Sequence, residues 1–447
     1  MHNDFMTKGS RRHLLSRWRG ASGPAGVVCR LTSASTLLAV VACGDITSLK
    51  QSNPGQLSAG TIYVPANAQL LVNGVIADFD CAFARYVAGS ALFTDELLNS
   101  FANTGTYDYE RRTIATNAGY GTTGCGNQSS PSIYSTLSTA RGVADTALAR
   151  LESWTDEQVL NRTKLIGQTA VYAGYSLVLL GEGMCSAAIN LGPEITPAEL
   201  FTESTARFDK AIAAATTASD AATLNLANLG RARALLNLGD APNAALDAAK
   251  VTAATFVYNF TANGTDVRRQ NIVFLHNSQN SWSTVDSSFR NLTLNGVPDP
   301  RVAVTNSGKI GTAASLVIWT ANKYPTLTAP MPIAKYAEAQ LIIAEARALA
   351  GDLAGAAAAI NAARNTRAGM AQYSATGQTA AQVRAQIVEE RRREFFLEGH
   401  RLGDIRRYQL PLTPAVGAPY TPGGGTYGSQ SCFPLPDVER INNPNIG

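Results

Sequence analysis

Hydrophobic residues recur every three or four positions along most of this chain, which is the spacing of one face of an α-helix. The pattern begins near residue 66, where Leu70, Val75, Phe79 and Phe83 follow it, and extends to about residue 98. It returns in the segments 134–154, 160–180, 197–215, 221–238, 241–255, 333–350, 353–367 and 380–408. Threonine caps helices and proline fits their first position, so Thr196 and Pro197 mark one helix start. The pattern predicts a mainly α-helical protein.

Two segments interrupt the helical pattern. Residues 99–130 are rich in Gly, Thr, Asn and Tyr without apolar periodicity, so we predict a long loop there. In residues 256–330, β-branched and aromatic residues alternate with Asn, Ser, Gly and Pro, which predicts short strands joined by loops. Binding residues are often carried by irregular segments on a rigid frame. These two insertions are therefore the predicted location of a functional surface.

Pairs of the predicted helices repeat one sequence pattern. Residues 231–245 align with residues 343–357, and in both copies Gly-Asp joins the two helices. A third copy covers residues 172–182, with its second helix near 200–213. This is the pattern of a tetratricopeptide-type hairpin, in which small residues let two antiparallel helices approach closely and glycine makes the turn. Such hairpins stack into a superhelix because none of them can bury its apolar face alone.

The N-terminal segment has the pattern of an export signal. An apolar run over residues 31–42 follows a basic leader and ends in Val-Val-Ala immediately before Cys43. This is typical of a bacterial lipoprotein signal, which is removed at a cysteine that becomes lipidated. A transmembrane anchor is the alternative, but it needs about 20 apolar residues, and this run is shorter and contains Thr and Ser. We therefore expect residues 1–42 to be removed, Cys43 to carry lipid and residues 43–63 to form a polar tether.

The charge balance and the number of histidines argue against several classes of function. The full sequence has 37 Lys and Arg against 33 Asp and Glu, and residues 1–42 hold six of the basic residues and one acid. The remainder is nearly neutral and gives no indication of nucleic-acid binding. After the leader only His276 and His400 remain, which excludes a histidine-rich metal site. Neither histidine lies in a recognisable nucleophile motif.

Four cysteines follow Cys43 in the sequence: Cys81, Cys125, Cys185 and Cys432. In an oxidising compartment they predict two disulfides, for which three connectivities exist. The preferred pairing joins Cys81 to Cys125 and Cys185 to Cys432. The second bond would fasten the C-terminal tail to the helical body and stabilise the fold by about 4 kcal/mol in the entropic model. Free buried thiols are the alternative.

Residues 387–407 are the most specific stretch of the sequence. Acids and arginines alternate around the aromatic pair Phe395-Phe396. Such a mixture also occurs in catalytic sites, but alternating opposite charges more often form a structural ion network, as Glu389 and Arg393 would at helical spacing. We interpret the segment as structural.

In this segment the chain resembles the SusD/RagB family, the surface nutrient-binding lipoproteins of Bacteroidota-like Gram-negative bacteria. The family helix reads E-R-x-x-E-F-x-x-E-G-x-R-x-x-D-L-x-R. The chain matches it at Glu390, Arg391, Glu394, Phe395, Glu398, Gly399, Arg401 and Asp404. Residues 335–369 resemble the family's last repeat, and residues 434–445 resemble its C-terminal end. Residues 180–185 depart from the family's Tyr-Gly-Asp-x-Pro pattern.

The resemblance implies a tetratricopeptide-like domain over residues 64–447. Its helical repeats would cover about 64–98, 131–255 and 331–370, its ligand-surface insertions 99–130 and 256–330, and its C-terminal helix and tail 380–447. The resemblance also implies delivery of an oligosaccharide or peptide to a SusC-like TonB-dependent transporter. It implies a lipid anchor in the outer membrane, facing the cell surface, and no covalent chemistry, cofactor or metal.

Sugars present apolar C–H faces that stack on aromatic rings, and hydroxyls that amides bind. Residues of these types occur in the two insertions. The candidate ligand-binding residues are Tyr107, Tyr109, Tyr120, His276, Asn277, Trp282 and Phe289. Each of these residue types alone more often serves in core packing or as a loop anchor, so the prediction rests on the set.

Two other functions are compatible with the sequence. A structural helical-repeat scaffold of the cell envelope would share the fold but would bind no sugar. A surface glycosidase would need two carboxylates about 5–10 Å apart in a cleft, and no sequence spacing identifies such a pair. A non-enzymatic binding lipoprotein is therefore the preferred interpretation.

Overall fold

The computed structural model describes residues 59–129 and 132–446. Residues 1–42, Cys43 and most of the segment 43–63 lie outside the described residues, so the signal, the lipidation site and the tether stay predictions. In the described part, no helix is both long enough and apolar enough to span a membrane.

Helices make up most of the described chain, and short antiparallel strand pairs occupy the irregular segments. The helices are α1 (Ala59–Ile62), α2 (Ala68–Phe93), α3 (Thr104–Arg111), α4 (Tyr134–Ser153), α5 (Arg162–Gly183), α6 (Pro197–Thr217), α7 (Ala221–Asn237), α8 (Ala241–Ala248), α9 (Ile272–Phe274), α10 (Tyr336–Leu349), α11 (Leu353–Arg364), α12 (Ala380–Glu394), α13 (Arg401–Tyr408) and α14 (Asp437–Asn442). The strand pairs are β1 (Leu97–Asn99) with β5 (Ser283–Val285), β2 (Ala187–Ala188) with β3 (Glu194–Ile195), β4 (Val257–Asn259) with β10 (Pro332–Lys335), β6 (Thr293–Leu294) with β7 (Val297–Pro298), and β8 (Val304–Ile310) with β9 (Val317–Ala321).

The helices stack as tetratricopeptide-like hairpins. Helices α4 to α8 pack each against the next in sequence order, and α10 packs against both α11 and α8. The last hairpin therefore continues the stack although the insertion 256–330 separates it in sequence. The predicted helical-hairpin fold with irregular and short β insertions is confirmed.

The Gly-Asp pair of the repeat has a double role at each turn. Gly239 and Gly351 have φ values of +82° and +83°, in the left-handed region where glycine is favoured. The aspartates that follow, Asp240 and Asp352, cap the next helix by accepting from a backbone N–H three residues on. The predicted turn is present at both positions.

In the third repeat copy, residues 172–182, Gly181 occupies the turn position of the pattern, and here the predicted turn is wrong. Helix α5 continues through Gly181 to Gly183. A Cβ on Gly181 would lie 2.6 Å from the ring of Phe201 in α6. This glycine therefore allows close packing of two helices and does not end the first one.

Phe208 of α6 shows the same packing principle more strongly. Its buried ring lies between α5 and α7, and a Cβ on Gly174 or Gly230 would approach it to 2.7 or 2.4 Å. Real Cβ atoms do not come so close to ring carbons, so both glycines are required by the packing of this ring.

Two predicted boundaries also differ from the structure. Helix α3 lies within the segment predicted as a loop, and begins where the Asn103 side chain accepts from the backbone N–H of Gly105. The helix predicted over 380–408 is interrupted after Glu394, because Leu397 and Gly399 adopt left-handed φ values of +56° and +77°. The Leu397 N–H donates to the buried carboxylate of Glu96, a tertiary contact that sequence periodicity does not report.

The charged segment around this turn forms a buried ion network. Its pairs are Glu390 with Arg301 (2.6 Å), Arg391 with Asp404 (2.8 Å), Glu394 with Lys335 (2.8 Å), Glu398 with Lys335 (2.7 Å) and Arg401 with Asp95 (2.6 Å). The Phe395 ring is faced by Lys335 and Arg391 and stacks on His400 at 4.2 Å. Gly399 lies against Val87 of α2. The geometry is that of a structural network, as the sequence pattern indicated.

Both disulfides of the preferred pairing are formed in the structure. Cys81 of α2 is joined to Cys125, and Cys185 is joined to Cys432. Next to the second bond, the Cys185 N–H donates to the Phe433 carbonyl at 2.8 Å, and the Phe433 N–H donates to the Gly183 carbonyl at 2.9 Å. The C-terminal tail is thus held to the end of α5 by both covalent and backbone contacts.

Substitution of Gly230 by alanine tests the packing around Phe208. We expect Gly230→Ala to lower the free energy of unfolding by about 1–3 kcal/mol, because the new methyl group overpacks a closed contact. Gly74 of α2 is exposed and has no neighbour within 4 Å of an added Cβ. Gly74→Ala should instead stabilise by about 0.5–1 kcal/mol. Urea unfolding of both variants measures the difference, and equal effects would contradict the packing explanation.

Candidate ligand-binding surface

The two irregular insertions meet in the structure. Strand β1 pairs with β5 in antiparallel register, so Leu97 lies opposite Val285. Beyond the end of β1, the Ser100 N–H donates to the Trp282 carbonyl at 2.9 Å, and its hydroxyl donates to the Ser281 carbonyl at 2.9 Å. Residues separated by about 180 positions in sequence are thereby placed side by side.

An aromatic pair lies at this junction. The rings of Phe101 and Trp282 stack with centroids 5.2 Å apart and planes 25° apart, and both side chains are half-buried. A third segment adjoins them, since the Ala102 N–H donates to the Thr312 hydroxyl at 3.0 Å. We call Phe101 and Trp282 the aromatic platform. It is a partly exposed apolar surface assembled from both insertions.

A second half-buried tryptophan, Trp319, lies on the neighbouring strand β9. The guanidinium of Arg290 is 5.2 Å from its ring centroid, within the range of a cation–π contact. Arg290 is itself fixed, because it donates to the Val285 carbonyl at the end of β5. Phe101 and Trp319 were not among the predicted residues, and their positions inside the two insertions were the only sequence signal that pointed to them.

Three of the predicted aromatic residues belong to the core. Tyr109 and Tyr120 are buried against Phe433, with centroids 5.8 and 5.9 Å from its ring. Phe289 is buried and stacks on Phe396 at 4.7 Å. Their apolar surface is already covered by the C-terminal tail and the ion-network segment, so the prediction that they contact a ligand is corrected.

His276 and Asn277 are also buried, and they are corrected in the same way as ligand contacts. The His276 ring lies 5.3 Å from that of Trp282, and its Nε2–H donates to the Gln128 carbonyl at 2.6 Å. Burial lowers the pKa of His276 to about 4, so its imidazole is neutral at physiological pH. Both residues lie behind the aromatic platform. Trp282, by contrast, is half-buried and forms part of the aromatic platform.

Tyr107 is half-buried beneath a loop of the C-terminal tail. Its ring packs edge-on against Tyr420 at 5.8 Å, and a Cβ on Gly423 would lie 2.5 Å from it. As a ligand contact, Tyr107 stays a prediction.

The buried carboxylate of Glu110 fastens the same loop. It accepts from the hydroxyls of Tyr420 (3.1 Å) and Tyr427 (2.9 Å) and from the N–H of Asn99 (2.7 Å). Burial raises the pKa of Glu110 to about 7, although these donors favour the ionised form. One carboxyl thus joins the C-terminal loop, α3 and the end of β1.

Residues 238–435 match the model of the SusD family. The match covers 198 of the 447 residues, and this part of the chain is similar to the SusD family. The matched residues include the charged segment 387–407, on which the resemblance was based, and the prediction of the family is confirmed. No curated protein sequence matches the chain.

Solved structures of the SusD superfamily share the fold. A SusD superfamily protein from Bacteroides fragilis superposes with a TM-score of 0.66 at 16% identity, over 86% of this chain and 99% of its own. A putative sugar binding protein from Bacteroides vulgatus gives 0.66 at 17% identity, over 86% and 98%. A SusD-like carbohydrate binding protein from the same organism gives 0.63 at 17% identity, over 86% and 97%. At these identities the likeness shows the fold alone.

Replacement of Glu110 tests how this carboxyl fastens the loop. Its pKa in the folded state lies above the ordinary value of 4.5, so its contribution to stability is full below about pH 4.5 and is lost as the pH rises through 7. Glutamine does not titrate. We therefore expect the stability of the wild type relative to Glu110→Gln to fall by up to about 3 kcal/mol between pH 4.5 and 8. Urea unfolding across this range measures it, and a pH-independent difference would contradict the assignment.

Proposed function

We propose that this protein is a lipid-anchored, non-enzymatic binding protein that captures an oligosaccharide and delivers it to a SusC-like TonB-dependent transporter in the outer membrane. The observation that carries the proposal is the aromatic platform, a stacked and partly exposed ring pair that two distant insertions build on a helical frame. The names of two structural relatives, a putative sugar binding protein and a SusD-like carbohydrate binding protein, support a saccharide as the ligand.

The chemistry of the platform suits a pyranose ring. The C–H face of a sugar is apolar and packs on aromatic rings, while its hydroxyls need hydrogen-bonding partners at the rim. Polar residues lie close to the ring pair in sequence, Asn103 two residues after Phe101 and Asn280 two residues before Trp282, and the Thr312 hydroxyl accepts from the N–H of Ala102, the neighbour of Phe101. This arrangement binds without a reacting group, which is what a delivery protein requires.

The resemblance to the family supports the transporter as partner, and the N-terminal leader supports the attachment to the membrane. SusD/RagB proteins are expected to act with a SusC-like transporter, and the apolar run before Cys43 supports attachment through an acylated cysteine. The alternative, an envelope scaffold, would share the helical frame but would bind no saccharide.

Alanine at Trp282 tests the ligand. We expect Trp282→Ala to weaken oligosaccharide binding about tenfold or more, equivalent to about 1.4 kcal/mol, because the stacking surface is lost. Trp154, a half-buried tryptophan that packs near Leu151 and Leu165, provides the matched control, and Trp154→Ala should leave affinity within about twofold. Calorimetric titration against a panel of poly- and oligosaccharides measures both variants.

Two outcomes of that titration would reject the proposal. Absence of binding by the wild type across the panel would favour the scaffold. Release of shorter sugars in the same mixtures, detected by chromatography, would indicate a glycosidase.

Replacement of Cys43 tests the anchor. The wild type should incorporate labelled palmitate in its native host and sediment with the outer membrane, whereas Cys43→Ala should do neither, since the acyl chains supply the membrane affinity. A Cys43→Ala variant that stays membrane-bound would show that another segment holds the protein.

A further inference from the structure

Strand β9 carries Trp319 and has one edge paired with β8. Along its other edge, four backbone groups are bonded by side chains instead of by a neighbouring strand. They are the Val317 carbonyl, the Trp319 N–H, the Trp319 carbonyl and the Ala321 N–H. Along one edge of a strand, the N–H and C=O groups of every second residue point outward. When these groups are unpaired, they can form hydrogen bonds with another extended chain. Here two buried side chains take the place of that partner.

Thr284 of β5 provides the first two contacts. Its hydroxyl donates to the Val317 carbonyl at 2.9 Å and accepts from the Trp319 N–H at 2.8 Å. The side chain is completely buried. One hydroxyl therefore uses both its donor and an acceptor position to join β5 to β9.

Asn277 provides the other contacts. Its Nδ2 donates to the Trp319 carbonyl and to the Ser283 carbonyl, both at 2.9 Å, and its Oδ1 accepts from the Ala321 N–H at 2.8 Å. These partners fix the orientation of the amide, because a flipped amide would place its oxygen against two carbonyls. Asn277 lies in a π-helical turn, Leu275–Gln279, a rare conformation that is frequent at functional sites.

Both tryptophans of the surface are held through these contacts. The backbone N–H and carbonyl of Trp319 are bonded to Thr284 and Asn277, respectively. Trp282 directly precedes Ser283, donates its N–H to the His276 carbonyl at 2.7 Å, and packs its ring against that of His276. Trp282 lies two residues before Thr284, whose side chain faces β9.

We propose that Asn277 and Thr284 are positioning residues that set the distance and orientation between Trp282 and Trp319, so that these two rings form one ligand surface together with Phe101. Neither residue touches the ligand. They increase the affinity by holding β5 and β9 in register. The two segments are then already ordered before the ligand binds, so binding costs less conformational entropy. The part of this inference that concerns affinity rests on the proposed function.

The tryptophan content of the chain allows a test that needs no ligand. Residues 43–447 contain three tryptophans, Trp154, Trp282 and Trp319, so a Trp154→Phe protein reports on the surface alone. In that background we expect Asn277→Ala and Thr284→Val to raise acrylamide quenching of tryptophan fluorescence about twofold while far-UV circular dichroism is kept, because local opening exposes the rings. The affinity for an oligosaccharide bound by the wild type should fall about tenfold.

Matched controls separate positioning from general destabilisation. Asn271 is buried beside the same turn, and its side chain bonds to the Phe274 N–H and the Ala329 carbonyl, away from both tryptophans. Thr169 is buried in α5 and donates to the Leu165 carbonyl. Asn271→Ala and Thr169→Val should lower the melting temperature but leave quenching and affinity within about twofold of the wild type.

The outcomes are distinct. Unchanged quenching in folded Asn277→Ala and Thr284→Val, or equal increases in the control variants, would overturn the positioning role. If Asn277→Ala does not fold, the nearly isosteric Thr284→Val decides. If the wild type binds no saccharide, the proposed function fails, while the quenching comparison still tests whether the two side chains hold the rings.

Discussion

A buried charge must find a counter-charge, and this requirement organises the C-terminal half of the molecule. The carboxylates of Glu390, Glu394 and Glu398 are almost completely removed from water. Burial opposes ionisation of Glu394, but Lys335 and Arg367 outweigh it and lower its pKa to about 2. Loss of one partner of such a pair leaves an uncompensated charge, which costs about 3–5 kcal/mol. The network therefore tolerates few alternative arrangements of the chain.

The partners of this network come from other parts of the fold, and this explains how the frame positions the aromatic platform. Arg301 belongs to the second insertion, Lys335 to β10, and Asp95 to the turn between α2 and β1. Because these residues neutralise the charged segment, they hold the second insertion and the C-terminal end of α2 close together. Strands β1 and β5 pair just beyond these contacts, and the aromatic platform forms where they end.

The helical frame could be predicted well, because the spacing of apolar residues on a helix face is directly visible in the sequence. The start at Thr196 and Pro197 and the Gly-Asp turns depend on local backbone chemistry, and both appear as predicted. The break after Glu394 depends on Glu96, a residue about 300 positions away, so no local pattern could show it. The aromatic platform could not be predicted in this way. Tyr120, Phe289 and Trp282 are all aromatic residues of the two insertions. Only the tertiary structure shows that Tyr120 and Phe289 are buried, whereas Trp282 is partly exposed.

The bond between Cys185 and Cys432 has a consequence for biogenesis. Its two ends are 247 residues apart, and the second lies near the end of the sequence. A polypeptide that is synthesised from its N-terminus cannot close this bond until Cys432 has been added. Until then the end of α5 lacks its backbone hydrogen bonds to Phe433. Such long-range closure is slow compared with local pairing, so we expect this bond to form after the helical hairpins have folded.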